Sequence, residues 1–171
     1  EYSKSSVFSA LNLMNNEHQE IKTRINHNAP HCHSYQKVKN VLNNESKGIY
    51  QGKIFVKNIA QKTDAYQLSR ALLLNDKAEF DAKPELEIYA DDVKCSHGST
   101  SGSIDLNSVH YLKSRGINEK DAFQMIINGF LCEILEKLSE GKLKNFLIEK
   151  LERQIKDIKN IKKEFPIFKQ K

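Results

Sequence analysis

From about Glu20 to Ala90, apolar and polar residues alternate in short runs, the period of strands with one buried face. "EIKTRIN" (20–26) sets Ile21 and Ile25 on one side, and "YQKVKNVL" (35–42), "GIYQGKIFVKNIA" (48–60), "QLSRALLL" (67–74) and "ELEIYA" (85–90) continue the pattern. Polar clusters separate them: "NHNAP" (26–30), "NNESKG" (43–48) and "NDKAEFD" (75–81). The runs start near residues 20, 35, 53, 67 and 85, and no Asn-Gly pair stands between them to close a two-residue hairpin. Regular short strands with polar corners fit either a stacked β-solenoid or a β-sandwich. The sparseness of the apolar positions favours the stack, where each coil buries only its inward residues against its neighbours.

After Ser103 the period changes to that of helices. Asp105 is placed to cap "LNSVHYLKSR", and Gly116 sits where a glycine closes a short helix. Asn118 caps the next one, with Asp121 three residues on in a variant of the capping box. Ala122, Met125, Ile126, Phe130, Ile134, Leu135 and Leu138 carry that helix to Gly141. A last stripe, Leu143, Phe146, Leu147, Leu151, Ile155, Ile158 and Ile161, ends near Glu164 because Pro166 disfavours a helical Phe165. The expected organisation is a β core over 1–102 and a helical region over 103–171.

With 171 residues, 39% hydrophobic and 29% charged, the chain is large enough for one well-buried domain, with or without an appendage. No apolar run is long enough to span a bilayer, and no signal-peptide pattern opens the chain. It begins at Glu1 and reads as a fragment or processed chain, truncated at the N-terminal side of its β core. Three widely spaced cysteines argue against a disulfide framework and for a reducing compartment, the cytoplasm or an organelle stroma or matrix if a targeting segment was removed. The net charge of +5 is local. Residues 142–171 hold ten Lys/Arg against four Asp/Glu, a net of +6, which leaves the rest at −1. No RNA-binding aromatic signature accompanies the basic helix, so neither nucleic acid nor membrane is an expected partner.

"DDVKCSHGSTSG" (91–102) places Cys95 two residues before His97. By spacing this is an unfinished site: nothing completes four zinc ligands, and no oxyanion-hole loop or orienting Asn/Asp supports a Cys–His nucleophile. From spacing alone, two side chains sharing a turn is the stronger reading, since a single buried cysteine ordinarily acts as a small hydrophobe. "HCH" (31–33) follows Pro30 and reads as a turn entering a strand, with His31 and His33 on one side and Cys32 on the other. His18, His27 and His110 stand alone, and the adjacent Asp91 and Asp92 mark a turn more than a catalytic pair.

The residues carry more than their spacing. "KPELEIYADDVKCSHGSTSGSIDLNSVHYLKSRGI" (83–117) closely resembles the C-terminal region of the SufD family of iron–sulfur cluster assembly proteins. Residues 27–74, from "HNAPHCHSYQKVKNVL" to "AQKTDAYQLSRALLL", and "NEKDAFQMIINGFLCEIL" (118–135) follow the same pattern, so the likeness covers roughly 18–138. SufB-like chains share this frame but carry "EHEAT" where this chain has "CSHGST", and "FYCRQRGI" where it has "HYLKSRGI", with Leu112 in place of that cysteine. Ser99 and Ser101 replace the family's usual Ala and Val, and His110 stands where Phe is common.

The resemblance implies a right-handed parallel β-helix core followed by a small helical region, which settles the choice between stack and sandwich. It implies a non-enzymatic scaffold that pairs with a SufB-like subunit through the β-helix and docks a SufC-like ATPase through its helices. Glu119, Lys120 and Gln124 are candidate SufC contacts, and no G-x-x-x-x-G-K-[S/T] of its own is present. An iron–sulfur cluster would be held only transiently at the SufB interface, with His97 and its neighbour Cys95 as this chain's contribution and nothing tightly bound in isolation. Imidazole and thiolate suit iron, and an incomplete set suits a cluster that must be handed on. Two alternatives stand beside this: a purely structural subunit with no cluster ligand, and a cysteine-dependent hydrolase or sulfurtransferase. A homodimer through the exposed β-helix edge is expected when SufB is absent.

Overall fold

The computed structural model describes residues 1–156, and the final part of the last apolar stripe lies outside them. Seven strands precede the helices among the described residues: β1 (Lys4–Leu13), β2 (His18–His27), β3 (His33–Leu42), β4 (Lys47–Val56), β5 (Asp64–Leu73), β6 (Glu79–Ile88) and β7 (Lys94–Gly102). Odd strands form one parallel sheet in the order β1-β3-β5-β7, and even strands a second in the order β2-β4-β6. Consecutive strands thus alternate between two facing sheets, and the chain winds as a β-solenoid of about three coils. Lys4, His33, Asp64 and Lys94 stack in register, so each coil takes about 30 residues, or two strands and two corners.

The polar corners recur because the coil recurs. Asn15 and Asn44 occupy equivalent left-handed turns (φ 56° and 57°), a conformation asparagine tolerates better than most side chains. His31 and Lys62 do the same at the opposite corner (φ 58° and 59°). Two strands differ from the sequence pattern. β7, "KCSHGSTSG", is built mostly of serine, glycine and other small polar residues, and β1, "KSSVFSALNL", sets its apolar residues in adjacent pairs instead of alternation; the strand state of both is supported by pairing with β5 and β3.

Inside the coils the apolar side chains gather at two ends: Leu13, Leu42, Ala71 and Ala78 with Leu11, Leu73 and Phe80 at one, and Ile54, Val56, Ala60, Ala65 and Ala90 with Leu86, Val93 and Cys95 at the other. The middle of the lumen is polar, with Gln36, Gln67, Ser69 and Tyr50 all buried. The helices pack on the outer face of the four-stranded sheet. Val41 and Leu72 from that face join Val109, Ala122, Phe123, Ile127, Leu131, Leu135 and Leu151 in the largest cluster.

The helices are α1 (Leu106–Ser114), α2 (Glu119–Cys132) and α3 (Lys142–Lys156). Asp105 caps α1 by accepting from the Asn107 and Ser108 amides, Gly116 follows it with φ 89°, and Asn118 caps α2 by accepting from the Asp121 amide at 2.9 Å. The expected single helix from Asn118 to Gly141 is instead two pieces: α2 ends at Cys132 and tightens into a 3₁₀ segment, Glu133–Lys137. The tightening begins at the residue whose carboxylate is drawn onto the sheet.

That carboxylate, Glu133, receives hydrogen bonds from Lys37 and Lys39 of β3, with the Arg70 guanidinium 4.0 Å away on β5. Lys39 is fully buried, donates to the Phe130 carbonyl at 2.6 Å and lies 4.3 Å from the centre of the Phe130 ring. Burial lowers the Lys39 pKa, and the hydrogen bond to Glu133 works against that. For Glu133 burial alone would raise the pKa, but the two lysine hydrogen bonds win and hold it at about 2. One carboxylate therefore fastens the helical region to the sheet.

Candidate functional site

Cys95 and His97 lie on β7, the last strand of the four-stranded sheet. The ladder sets their direction. Cys95 stacks on Ala65 and His97 on Gln67, both inward-facing and buried, so both site residues point to the lumen side, about 7 Å apart by strand rise. The Ser69 hydroxyl donates to that of Ser99 at 2.9 Å, which fixes the same face two residues further on. No strand among the described residues covers β7 on its other edge. His97 consequently faces inward yet is exposed, at the open end of the solenoid.

The two residues differ in setting. Cys95 is half-buried against the apolar end of the lumen, and that burial raises its thiol pKa. It is poised as a thiol, and metal or sulfur binding there must release a proton. Gly98 turns its α-carbon outward: a β-carbon there would come within 3.2 Å of Leu68 and 3.6 Å of the Tyr66 hydroxyl. Beyond it, Thr100, Ser101 and Gly102 are all exposed.

The other edge at this end, β6, has a different character. Glu79, Asp81, Lys83, Glu85 and Glu87 alternate along its outer face, the acids paired to Lys47 and Lys53 of β4 and Lys83 to Glu85, and Pro84 interrupts its middle. Charges and proline are the usual guards against strand addition. β7 has neither between Cys95 and Gly102.

The remaining sequence candidates scatter. His31 sits in its turn and stacks on Tyr2 at 4.9 Å, Cys32 is buried with the Ser3 hydroxyl donating to its sulfur at 3.2 Å, and His33 lies 3.8 Å from Asp64. His31 and His33 are therefore not two ligands on one strand face. His27 is buried with its ring 2.9 Å from the Ser34 hydroxyl. Glu119, Lys120 and Gln124 are on α2. Glu119 pairs with Lys113 at 3.1 Å, Lys120 is exposed, and Gln124 lines a hollow of about 310 Å³ between α2 and α3 with Met125, Asn128 and Glu152. Among the described residues no three His, Cys, Asp or Glu side chains converge to hold a metal, so Cys95 and His97 remain an incomplete set. Sequence reasoning missed the Glu133 clamp. Its only signal was a pair of lysines, 37 and 39, at alternate positions of an otherwise apolar run.

Against known families, residues 1–130 match the SufBD core domain of the SUF system of FeS cluster assembly. The chain belongs to the SufBD family. It is 42% identical over 140 residues to the iron–sulfur cluster assembly protein SufD of Escherichia coli K12, a span of 82% of this chain and 33% of that protein. A SufBD family protein of Synechocystis is 36% identical over 86% of this chain and 32% of its own length, and SufD of Bacillus subtilis is 33% identical over 81% and 32%. The chain thus spans about a third of the length of these curated relatives. No helix among the described residues is long and apolar enough to cross a membrane.

Proposed function

We propose that the chain is part of an iron–sulfur cluster assembly scaffold of the SufD kind, presenting His97, with Cys95 behind it, to a cluster completed by a SufB-like partner. The observation that carries this is the position of His97: inward on the last strand, yet exposed, beside an unguarded edge. A partner strand added along β7 would close the solenoid's open end over the imidazole and bring its own ligand to the same place. The cluster is cargo, so two weak contributions from this chain suit release better than a closed four-ligand cage. In the absence of the partner the same edge supports self-pairing. The helical region, with Glu119, Lys120 and Gln124, is the surface assigned to a SufC-like ATPase, and the Glu133 clamp makes that region and the sheet bearing His97 one mechanical piece.

The test is cluster formation on the reconstituted complex with His97→Ala, with complex assembly followed separately by size-exclusion chromatography. Cluster yield should fall at least tenfold while the complex stays intact. A normal yield from an intact complex would leave the purely structural reading in its place. A cysteine-dependent enzyme is disfavoured by the raised pKa of Cys95, which keeps its nucleophilic form scarce.

A further inference from the structure

The polar middle of the lumen contains one side chain that does not fit a dry interior. Gln36, on β3, is fully buried, and neither its carboxamide oxygen nor its nitrogen has a hydrogen-bond partner among the described residues. A buried primary amide offers two donors and two acceptors, and leaving them all unmade is costly enough to be rare. Its lumen neighbours are served: Ser34 by His27, Ser69 by Ser99, and Tyr50 by Thr23 at 3.3 Å.

The register explains why Gln36 is left over. Gln36 and Gln67 are partners on adjacent parallel strands, on the same face and about 4.8 Å apart, where stacked glutamines ordinarily bond to each other as an amide ladder. Gln67 is instead drawn across the lumen. Its nitrogen donates to the Gly52 carbonyl and its oxygen accepts from the Tyr50 hydroxyl, each at 3.4 Å. Gly52 permits the crossing, because a β-carbon there would fall 2.3 Å from the Tyr50 hydroxyl and 2.4 Å from the Gln67 oxygen. Both Gln67 bonds are long, and each of its amide groups keeps unused capacity.

We propose that the solenoid lumen binds buried water on the Gln36 carboxamide, bridging it towards Gln67. The ligand class is water because Gln36 is fully buried among uncharged lumen residues between two apolar clusters, while its amide supplies the polar partners a single small molecule needs. Gln67 is the ladder partner of His97, so the inward row Gln36–Gln67–His97 ends at the exposed imidazole of β7. The assignment is independent of the functional reading above.

The experiment is water–amide NMR on the folded wild-type chain, which reads water resident long enough to transfer magnetisation to the Gln36 side-chain NH₂. A long-lived water at Gln36 is expected in the wild-type protein, with the folding equilibrium of Gln36→Leu no more favourable than wild type. Absence of such water from the wild-type protein overturns the proposal whatever the variant does. So does a Gln36→Leu protein more stable by about tenfold or more, the gain from deleting a dry, unpaired amide.

Discussion

Strands β3 and β7 flank β5 in the same sheet, and their surroundings are opposite. On β3 every residue from Gln36 to Leu42 is buried, including Lys37 and Lys39. On β7 no residue is buried, although it consists mostly of small side chains that would pack easily. Residue type would predict the reverse. Burial in a solenoid is decided by what is laid on the strand next: α2 and the Glu133 carboxylate roof β3, and no strand among the described residues continues the stack past β7. The cost of dehydrating two lysines is offset by one carboxylate, a carbonyl and an aromatic ring.

The sharpest way to break the comparison is to remove the roof's fastening. Glu133→Gln should lose about 2–4 kcal/mol in urea unfolding, because Lys39 is left buried without a counter-charge; the figure stays below the buried limit because Glu133 is a third exposed. A loss under about 0.5 kcal/mol would mean the apolar cluster alone holds the helices. Replacing the set together, Lys37→Met, Lys39→Leu and Glu133→Leu, should recover most of the stability. The clamp also has an acid signature. Its carboxylate is depressed from 4.5 to about 2, so its contribution is complete above the ordinary carboxylate value and lost as pH falls towards 2. Glu133→Gln should flatten that part of the acid-unfolding curve.

Next in size is the open edge. Ser96→Lys with Thr100→Lys puts two charges on the outer face of β7, where both positions are exposed, so folding should be unchanged. Pairing with a SufB-like partner, or self-pairing, should weaken at least tenfold, about 1.4 kcal/mol, by analytical ultracentrifugation. Lys83→Glu on the guarded strand β6 should change it no more than about twofold. Equal effects from the two strands would erase the distinction between them.

Two smaller effects test the interior beside these strands. His27 is buried on Ser34, and burial, then the charge of His33, pushes its pKa below 6.5. The folded state thus favours neutral His27, and its contribution is whole above 6.5 and declines as pH falls through that value. His27→Gln should remove a modest loss of thermal stability between pH 7 and 5. Cys95, although on the open strand, should react with iodoacetamide more slowly than a free cysteine at neutral pH, because burial raises its pKa. Rapid alkylation would show that the opening extends to Cys95.

Much of this was legible beforehand. The polar corner at 43–48, the alternation in β4 and the caps Asp105 and Asn118 are local features, fixed by neighbours along the chain, and the structure reproduces them. β1 was not legible, because its apolar residues Val7, Phe8, Ala10 and Leu11 come in adjacent pairs and not in alternation, and its strand state comes from β3. The break of the second helix at Cys132 was equally hidden, since its apolar stripe runs through the junction while Glu133 answers to lysines more than 90 residues away.

The sequence by itself determined the succession of short strands with polar corners, the helix starts and the two-residue spacing of Cys95 and His97, since each depends on residues a few positions apart. Only the tertiary structure decided which lysines are dehydrated, which glutamine is left without a partner and which strand ends the stack. Those are relations between coils about 30 residues apart, and a residue's environment there is set by register and by the element above it.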